Sequence, residues 1–312
     1  MEQQYKIRLK LLLTLLPAIL LLLVIGSFLI YSFYDRSTIT ELPQNKIVKS
    51  ENEKLKFLVF GDSGSGSDEQ KSLVPLMERE NPDLILHTGD LAYESGSARE
   101  INDNALAVYK NLFSKAAFYP VLGNHDYLTD NGQPFIDTFD LPDNERYYSF
   151  SVGKILFIAL DSNAPLDEVP NKMLPWLEQT LSEKTKQNNW TLVYFHHPAY
   201  SSGSHGSEKR IEDKIVPILE KYRVDIVFNG HDHNYQRTCE ILKNRCDKKG
   251  ILYIVTGGGG KELYPVGAPQ WFTEVQKSVY HFVVAEKDGC KLALKAVDLS
   301  GLVFDKVTKS KC

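Results

Sequence analysis

From residue 55 onward, short apolar runs recur along the chain, and each is closed by Gly, Asp, Asn or His. The runs are Leu55 to Phe60, Leu84 to His87, Ala117 to Leu122, Thr191 to Phe195 and Val224 to Asn229. Runs of this length, bounded by turn residues, predict buried strands. Helical spacing appears between them over Asp68 to Arg79, Ala98 to Ser114 and Leu174 to Lys186. In the second of these, Ala105, Leu106, Val108, Tyr109 and Leu112 share the apolar side. Strands then outnumber helices. Tyr147 to Val152 and Ile155 to Leu160 flank the hairpin pair Gly153-Lys154, and the tail offers Ile251 to Thr256, Tyr280 to Glu286, Lys291 to Val297 and Leu302 to Val307. Asp288-Gly289 and Ser300-Gly301 mark turns in that tail. The expected fold class is α/β, a four-layer αββα sandwich in which two mixed β-sheets pack face to face with helices outside. No internal repeat or low-complexity tract interrupts it.

Ahead of this domain the pattern is different. Lys6, Arg8 and Lys10 precede Leu11 to Tyr34, which carries no charged residue. At about 1.5 Å rise per residue that run spans roughly 36 Å, enough for a hydrocarbon core of about 30 Å. It predicts one transmembrane helix. The basic residues before it predict a cytosolic N-terminus over 1–10, an anchor over 11–34 and a polar linker over 35–54. The domain over 55–312 is then extracytoplasmic: periplasmic, extracellular or luminal. A cleaved signal peptide, giving a secreted protein, is the alternative; the apolar run is longer than such peptides need and no small-residue cleavage site follows it.

The formal net charge is only −4, and no basic cluster with interleaved aromatics occurs, so a nucleic-acid partner is not expected. Oligomeric state is not legible. The four cysteines, Cys239, Cys246, Cys290 and Cys312, lack the close spacing of a zinc knuckle. Their even number beyond an anchor suits disulfides. Three pairings are open; a hairpin over Glu240 to Arg245 favours Cys239 with Cys246, leaving Cys290 with Cys312. Asn189-Trp190-Thr191 matches a glycosylation tripeptide, a pattern common by chance.

The chemistry sits at the strand ends. Asp62 follows the first run, and Asp90 follows the second with Tyr93 three residues on. Asn124, His125 and Asp126 follow the third, His196 and His197 the fourth, and His231 and His233 the fifth. A lone Asp after a strand is commonly a helix cap. Five successive ends bearing oxygen or imidazole donors instead indicate one shared metal site.

The ordered set Gly61-Asp62-Ser63-Gly64, Gly89-Asp90-Leu91-Ala92-Tyr93, Gly123-Asn124-His125-Asp126, Val193-Tyr194-Phe195-His196 and Gly230-His231-Asp232-His233 resembles the calcineurin-like metallophosphoesterases. More narrowly, it resembles the purple acid phosphatases of the small tartrate-resistant type. The resemblance covers nearly all of Leu55 to Asp298. Gly64 stands where the general family has a histidine, and Tyr93 can take that ligand's place, as in the purple enzymes. A phenolate is a hard anionic donor and favours trivalent iron over divalent zinc.

By this resemblance one metal would be held by Asp62, Asp90, Tyr93 and His233, the second by Asp90, Asn124, His196 and His231, with Asp90 bridging. The implied cofactors are Fe(III) plus a second divalent metal (Fe, Zn or Mn), and the implied reaction is hydrolysis of a small phosphorylated substrate at acid pH. His125 and His205 are implied to contact the phosphate and to protonate the leaving alkoxide, a task that suits imidazole. His197 is expected to be structural, His87 and His281 to be core histidines, and Asp126 either to orient His125 or to stabilise its turn. Gly257 to Gly260 lacks the ending of a phosphate loop and is expected as a tight loop at the rim. Ser201 to Ser207 is expected to be a mobile loop carrying His205, and Gln133 to Asp143 and Asn163 to Lys172 to be loops that set selectivity. Two other readings stand beside this one: a phosphodiesterase or nucleotide hydrolase with manganese or zinc, and a silent extracytoplasmic binding domain.

Overall fold

The computed structural model describes residues 54–163 and 172–312, together with Gly26. The chain divides into two compact units, Met1–Glu41 and Leu42–Cys312, and every element described below belongs to the second. Among the described residues no helix is long and apolar enough to cross a membrane. The expected span over 11–34 lies, apart from Gly26, outside the described residues, as do the N-terminus over 1–10 and the linker up to residue 53.

One mixed sheet runs in the order Val303–Ser310 (β13), Lys291–Asp298 (β12), His281–Asp288 (β11), Lys54–Phe60 (β1), Leu84–His87 (β2) and Ala117–Pro120 (β3). The other runs Thr273–Lys277 (β10), Tyr235–Ile241 (β8), Ile251–Thr256 (β9), Ile226–Asn229 (β7), Trp190–Tyr194 (β6), Ile155–Ala159 (β5) and Tyr148–Val152 (β4). β1, β2 and β3 are mutually parallel, as are β5, β6, β7 and β9. Within each sheet their C-terminal ends therefore share one edge.

The period of two decides the layers. Ile155, Phe157 and Ala159 of β5 and Leu192 and Tyr194 of β6 join the core shared with β1 and β2. The residues between them, Leu156, Ile158 and Val193, join a second core with Leu177, Ile211 and Leu219 from the helices. The rings of Phe57 and Phe157 meet edge-on across the two sheets, 5.4 Å apart. Both faces of the parallel strands are thus dry, which explains why they read as unbroken apolar runs. At the β4–β5 hairpin Gly153 and Lys154 both take positive φ, as its two-residue turn demands.

Several elements depart from the sequence pattern. The helix expected over Ala98 to Ser114 is broken into Ala98–Ile101, a widened turn over Asn102–Leu106, and Lys110–Phe113. Gln70 Nε2 donates to the Asn104 carbonyl at 2.6 Å, and a carbonyl claimed from outside weakens the helical ladder there. β8 and β10 lie outside the runs that the sequence pattern marks as strands. β8 buries Gln236 and Thr238, which breaks its apolar alternation, and β10 is a half-buried edge strand with polar residues. Gln133–Thr138, expected within a loop, is helical, and so are Lys209–Lys214 and Val216–Lys221. Cys239 pairs with Cys246 and Cys290 with Cys312, each with Cα atoms 5.6 Å apart, the pairing the hairpin favoured.

Candidate metal centre

The backbone delivers the side chains through an uncommon conformation. Asp62, Asp90 and His231 have φ of 56°, 56° and 72°, a left-handed region that costs a residue with a Cβ on the order of 1 kcal/mol or more. Each kinks its loop so that the side chain turns back over the strand ends. Glycines make room for them. A Cβ on Gly123 would lie 2.1 Å from Asp90 Oδ1, and one on Gly230 would lie 2.3 Å from Asp62 Oδ2.

All seven expected ligands converge. Tyr93 Oη lies 2.9 Å from Asp90 Oδ2, 3.0 Å from His233 Nε2 and 3.4 Å from Asp62 Oδ1. Asn124 Oδ1 lies 2.9 Å from both His196 Nε2 and His231 Nδ1, which are 3.2 Å apart. His196 Nε2 is 3.5 Å from Asp90 Oδ2. One oxygen of Asp90 therefore belongs to both groups. Asp62, Asp90 and His196 also offer one ligand atom each within a 4.8 Å span.

These donors fit cations. Ligand atoms about 2.1 Å from one ion stand about 3 Å apart, which is the spacing seen. The proton positions agree. His196 Nδ1 faces the Thr88 carbonyl at 2.9 Å and His233 Nδ1 faces the Glu262 carbonyl at 2.6 Å, so each ring donates there and turns an Nε2 lone pair inward. Burial raises the pKa of Asp62, and burial with Asp90 and Asp62 beside it raises that of Tyr93. Burial alone would lower His196 and His233, yet the carboxylates beside them push both up. Each of these four shifts favours taking up a proton, the mark of a buried cluster short of positive charge. His231 goes the other way, lowered by burial and by His196.

The flanking groups separate clearly. The His125 ring sits 4.6 Å from that of Tyr93, and its Nδ1 donates to the Glu94 carbonyl at 2.7 Å. Asp126 does not orient it; that carboxylate instead accepts the N–H groups of Leu91, Ala92 and Gly123. The His205 ring packs 4.2 Å from that of His231, tilted 39° to it, with Nδ1 3.2 Å from Asp232 Oδ1. His197 bonds Ser162 and is buried, which with His196 lowers its pKa to about 2, and it is structural as expected. His87 and His281 are buried against Ser63 and Thr256.

The Ser201–Ser207 loop is pinned, contrary to its expected mobility. Ser201 Oγ bonds Asp232, and Ser202 N donates to Gln236 Oε1 at 2.6 Å. Asp232 lies between His231 and His233 in the sequence, where nothing local marks its role; it holds both the ring and the backbone N–H of His205. Most of the Asn163 to Lys172 loop lies outside the described residues.

A family model described as calcineurin-like phosphoesterase matches residues 55–235 of this chain. The chain belongs to the calcineurin-like phosphoesterases. Within them its relatives include purple acid phosphatases. Purple acid phosphatase 7 of Arabidopsis thaliana is 25% identical, over 89% of this chain and 94% of its own length. Probable inactive purple acid phosphatase 24 of the same plant is 26% identical over 82% of this chain. The purple acid phosphatase from yellow lupin (Lupinus luteus) seeds superposes with a TM-score of 0.72 at 22% identity over 87% of this chain, a likeness of fold. The chain spans about half the length of these last two, 48% and 55%. The seven donors lie on loops at the strand ends of that fold.

Proposed function

We propose that this chain is an acid phosphatase of the purple type, hydrolysing small phosphomonoesters with Fe(III) and a second divalent metal, Fe, Zn or Mn. The observation that carries this is Asp90 Oδ2, 2.9 Å from Tyr93 Oη and 3.5 Å from His196 Nε2, a single oxygen shared by two donor groups. Asp62, Asp90, Tyr93 and His233 would hold the trivalent ion, and Asp90, Asn124, His196 and His231 the divalent one. Bound there, the pair would supply Lewis acidity to the phosphoryl group and acidify water.

The chain's own groups handle position and protons. Tyr93 and Asp62 would contribute the hard anionic donors that favour iron. His125 is held by its Nδ1 on Glu94 O and His205 by its Nδ1 on Asp232, so in each ring Nε2 is the atom left to meet the phosphate and pass a proton to the leaving oxygen. Asp232 positions His205 and does not touch the substrate. The disulfides, with the apolar run over 11–34, support a tethered domain over 55–312 on the non-cytosolic side, or a secreted one after cleavage.

The test is metal analysis and a visible spectrum of the detergent-solubilised full chain, with hydrolysis of an aryl phosphate, a bis-aryl phosphate and ATP between about pH 4 and 7. A violet, iron-containing protein that favours the monoester is expected. A colourless zinc or manganese protein preferring the diester or ATP would make it a phosphodiesterase or nucleotide hydrolase. Full metal loading without hydrolysis would leave the binding-domain reading.

A further inference from the structure

The segment from Gly257 to Tyr264 straps one half of the metal centre. Lys261 N donates to the Asp62 carbonyl at 2.9 Å, and Tyr264 N donates to that of His233 at 3.0 Å. The Glu262 carbonyl accepts His233 Nδ1, and the Tyr264 ring lies flat on the His233 imidazole, centroids 4.0 Å apart and planes 9° from parallel. The Lys261 ammonium stands over the Tyr93 ring, 4.7 Å from its centroid, and pairs with the Glu94 carboxylate. The glycines are what bring the strap this close. A Cβ on Gly257 would lie 2.3 Å from the Asp232 carbonyl oxygen, and one on Gly259 would lie 2.4 Å from that of Gly61. Among the described residues, the strap's hydrogen bonds and ring contacts include Asp62, Tyr93 and His233 but none of Asn124, His196 and His231; on that other half the Tyr264 ring meets only the His205 ring, 5.2 Å away.

A cation over an aromatic face is attracted to its electrons, and more strongly when the ring carries a negative charge. We infer that Lys261, with Glu94 as its counter-charge, sets the electronic energy of Tyr93 and through it the reduction potential of the first metal, leaving the second site untouched. The inference rests on the iron–tyrosinate reading above. The ammonium faces the ring, so it lowers the donor electrons of the phenolate more than it affects an ion held at the hydroxyl end. It therefore raises the energy of phenolate-to-iron charge transfer and favours the reduced ion.

The experiment compares the full-length holoprotein with Lys261→Met and Glu94→Gln by visible absorption, redox titration and metal content. Lys261→Met should move the charge-transfer band to longer wavelength and lower the midpoint potential of the iron. Glu94→Gln leaves the ammonium uncompensated and should move both in the opposite sense. Its shift should be the smaller, and should shrink in high salt, because the Glu94 carboxylate is 72% exposed. Both variants should keep the divalent metal at wild-type stoichiometry. A merely structural strap would give shifts of one sign, or loss of iron in both variants, and either result overturns the inference. A coloured wild type whose variants keep the band and potential overturns it alone. A colourless wild type retires the iron reading, and this inference with it.

Discussion

Asp126 receives the backbone N–H of Leu91 with both carboxylate oxygens, at 2.9 and 3.1 Å. The same carboxylate accepts Ala92 N at 3.0 Å and Gly123 N at 2.9 Å, tying the loop of Asp90 and Tyr93 to the loop of Asn124. Removing it would strand three N–H donors, each costing about 1–3 kcal/mol where water cannot reach. Asp126→Ala should therefore cost about 3 kcal/mol or more in urea unfolding and reduce metal retention, whereas Asp126→Asn, keeping one acceptor oxygen, should cost less. Equal stability of the alanine variant and the wild type would show that the loops hold their own shape.

Tyr93→Phe removes one donor from the proposed iron site and keeps the ring's packing. The violet colour should disappear while the far-UV circular dichroism is retained. Asp90→Asn weakens both donor groups at once and should abolish aryl phosphate hydrolysis. A Tyr93→Phe protein that stays violet would place the chromophore elsewhere.

Asp305 joins the two sheets. It accepts Tyr235 Oη at 2.7 Å, Arg237 Nε at 2.7 Å and Arg237 Nη2 at 3.1 Å. Burial would raise its pKa, but these donors prevail and hold it below the usual carboxylate value. A depressed folded pKa gives stability that is present above the unfolded value, about 3.9, and lost as pH falls toward the folded one. The melting temperature of Asp305→Asn should accordingly fall below that of the wild type at pH 6 and approach it below about pH 4. A gap that persists undiminished at pH 3 would assign the effect to packing.

Cys290–Cys312 closes a 22-residue separation and pins β13 at the edge of its sheet. In the chain-entropy account such a loop contributes about 3 kcal/mol. Cys290→Ser with Cys312→Ser should lower the urea midpoint accordingly, with little change in hydrolysis, because Cys290 lies in the turn between β11 and β12, beside the start of β1 and away from the strand end that leads to Asp62. No change in midpoint would mean the strand pairing suffices.

If the run over 11–34 anchors the chain, protease added to intact cells or spheroplasts should release the domain near residues 37–54, and carbonate extraction should leave the uncut protein in the membrane. Soluble mature protein beginning near Asp35 would show a cleaved signal instead. Shelter from the protease would reverse the orientation.

The sequence alone determined the buried strands and the polar residues that follow them; that β1 to β3 and β5, β6, β7 and β9 run parallel, and that these residues converge, came from the tertiary structure. Strands dry on both faces must be written in continuous apolar residues, and a ligand placed at a strand end must follow that run directly. Both signals are local, so Asp62, Asp90, Tyr93, Asn124, His196, His231 and His233 could be read in order. The contacts around them were not local. Asp126 serves Leu91 rather than His125, and Asp232 turns away from its neighbours to hold His205. Lys261 reaches Tyr93 across more than half the length of the domain. Each is a polar side chain whose partner is chosen by which loops the folded sheets bring together, and no periodicity records that choice. The same holds for β8 and for the broken helix after Ala98, where Gln236 and Asn104 find tertiary partners in Ser202 and Gln70 that outweigh their local pattern.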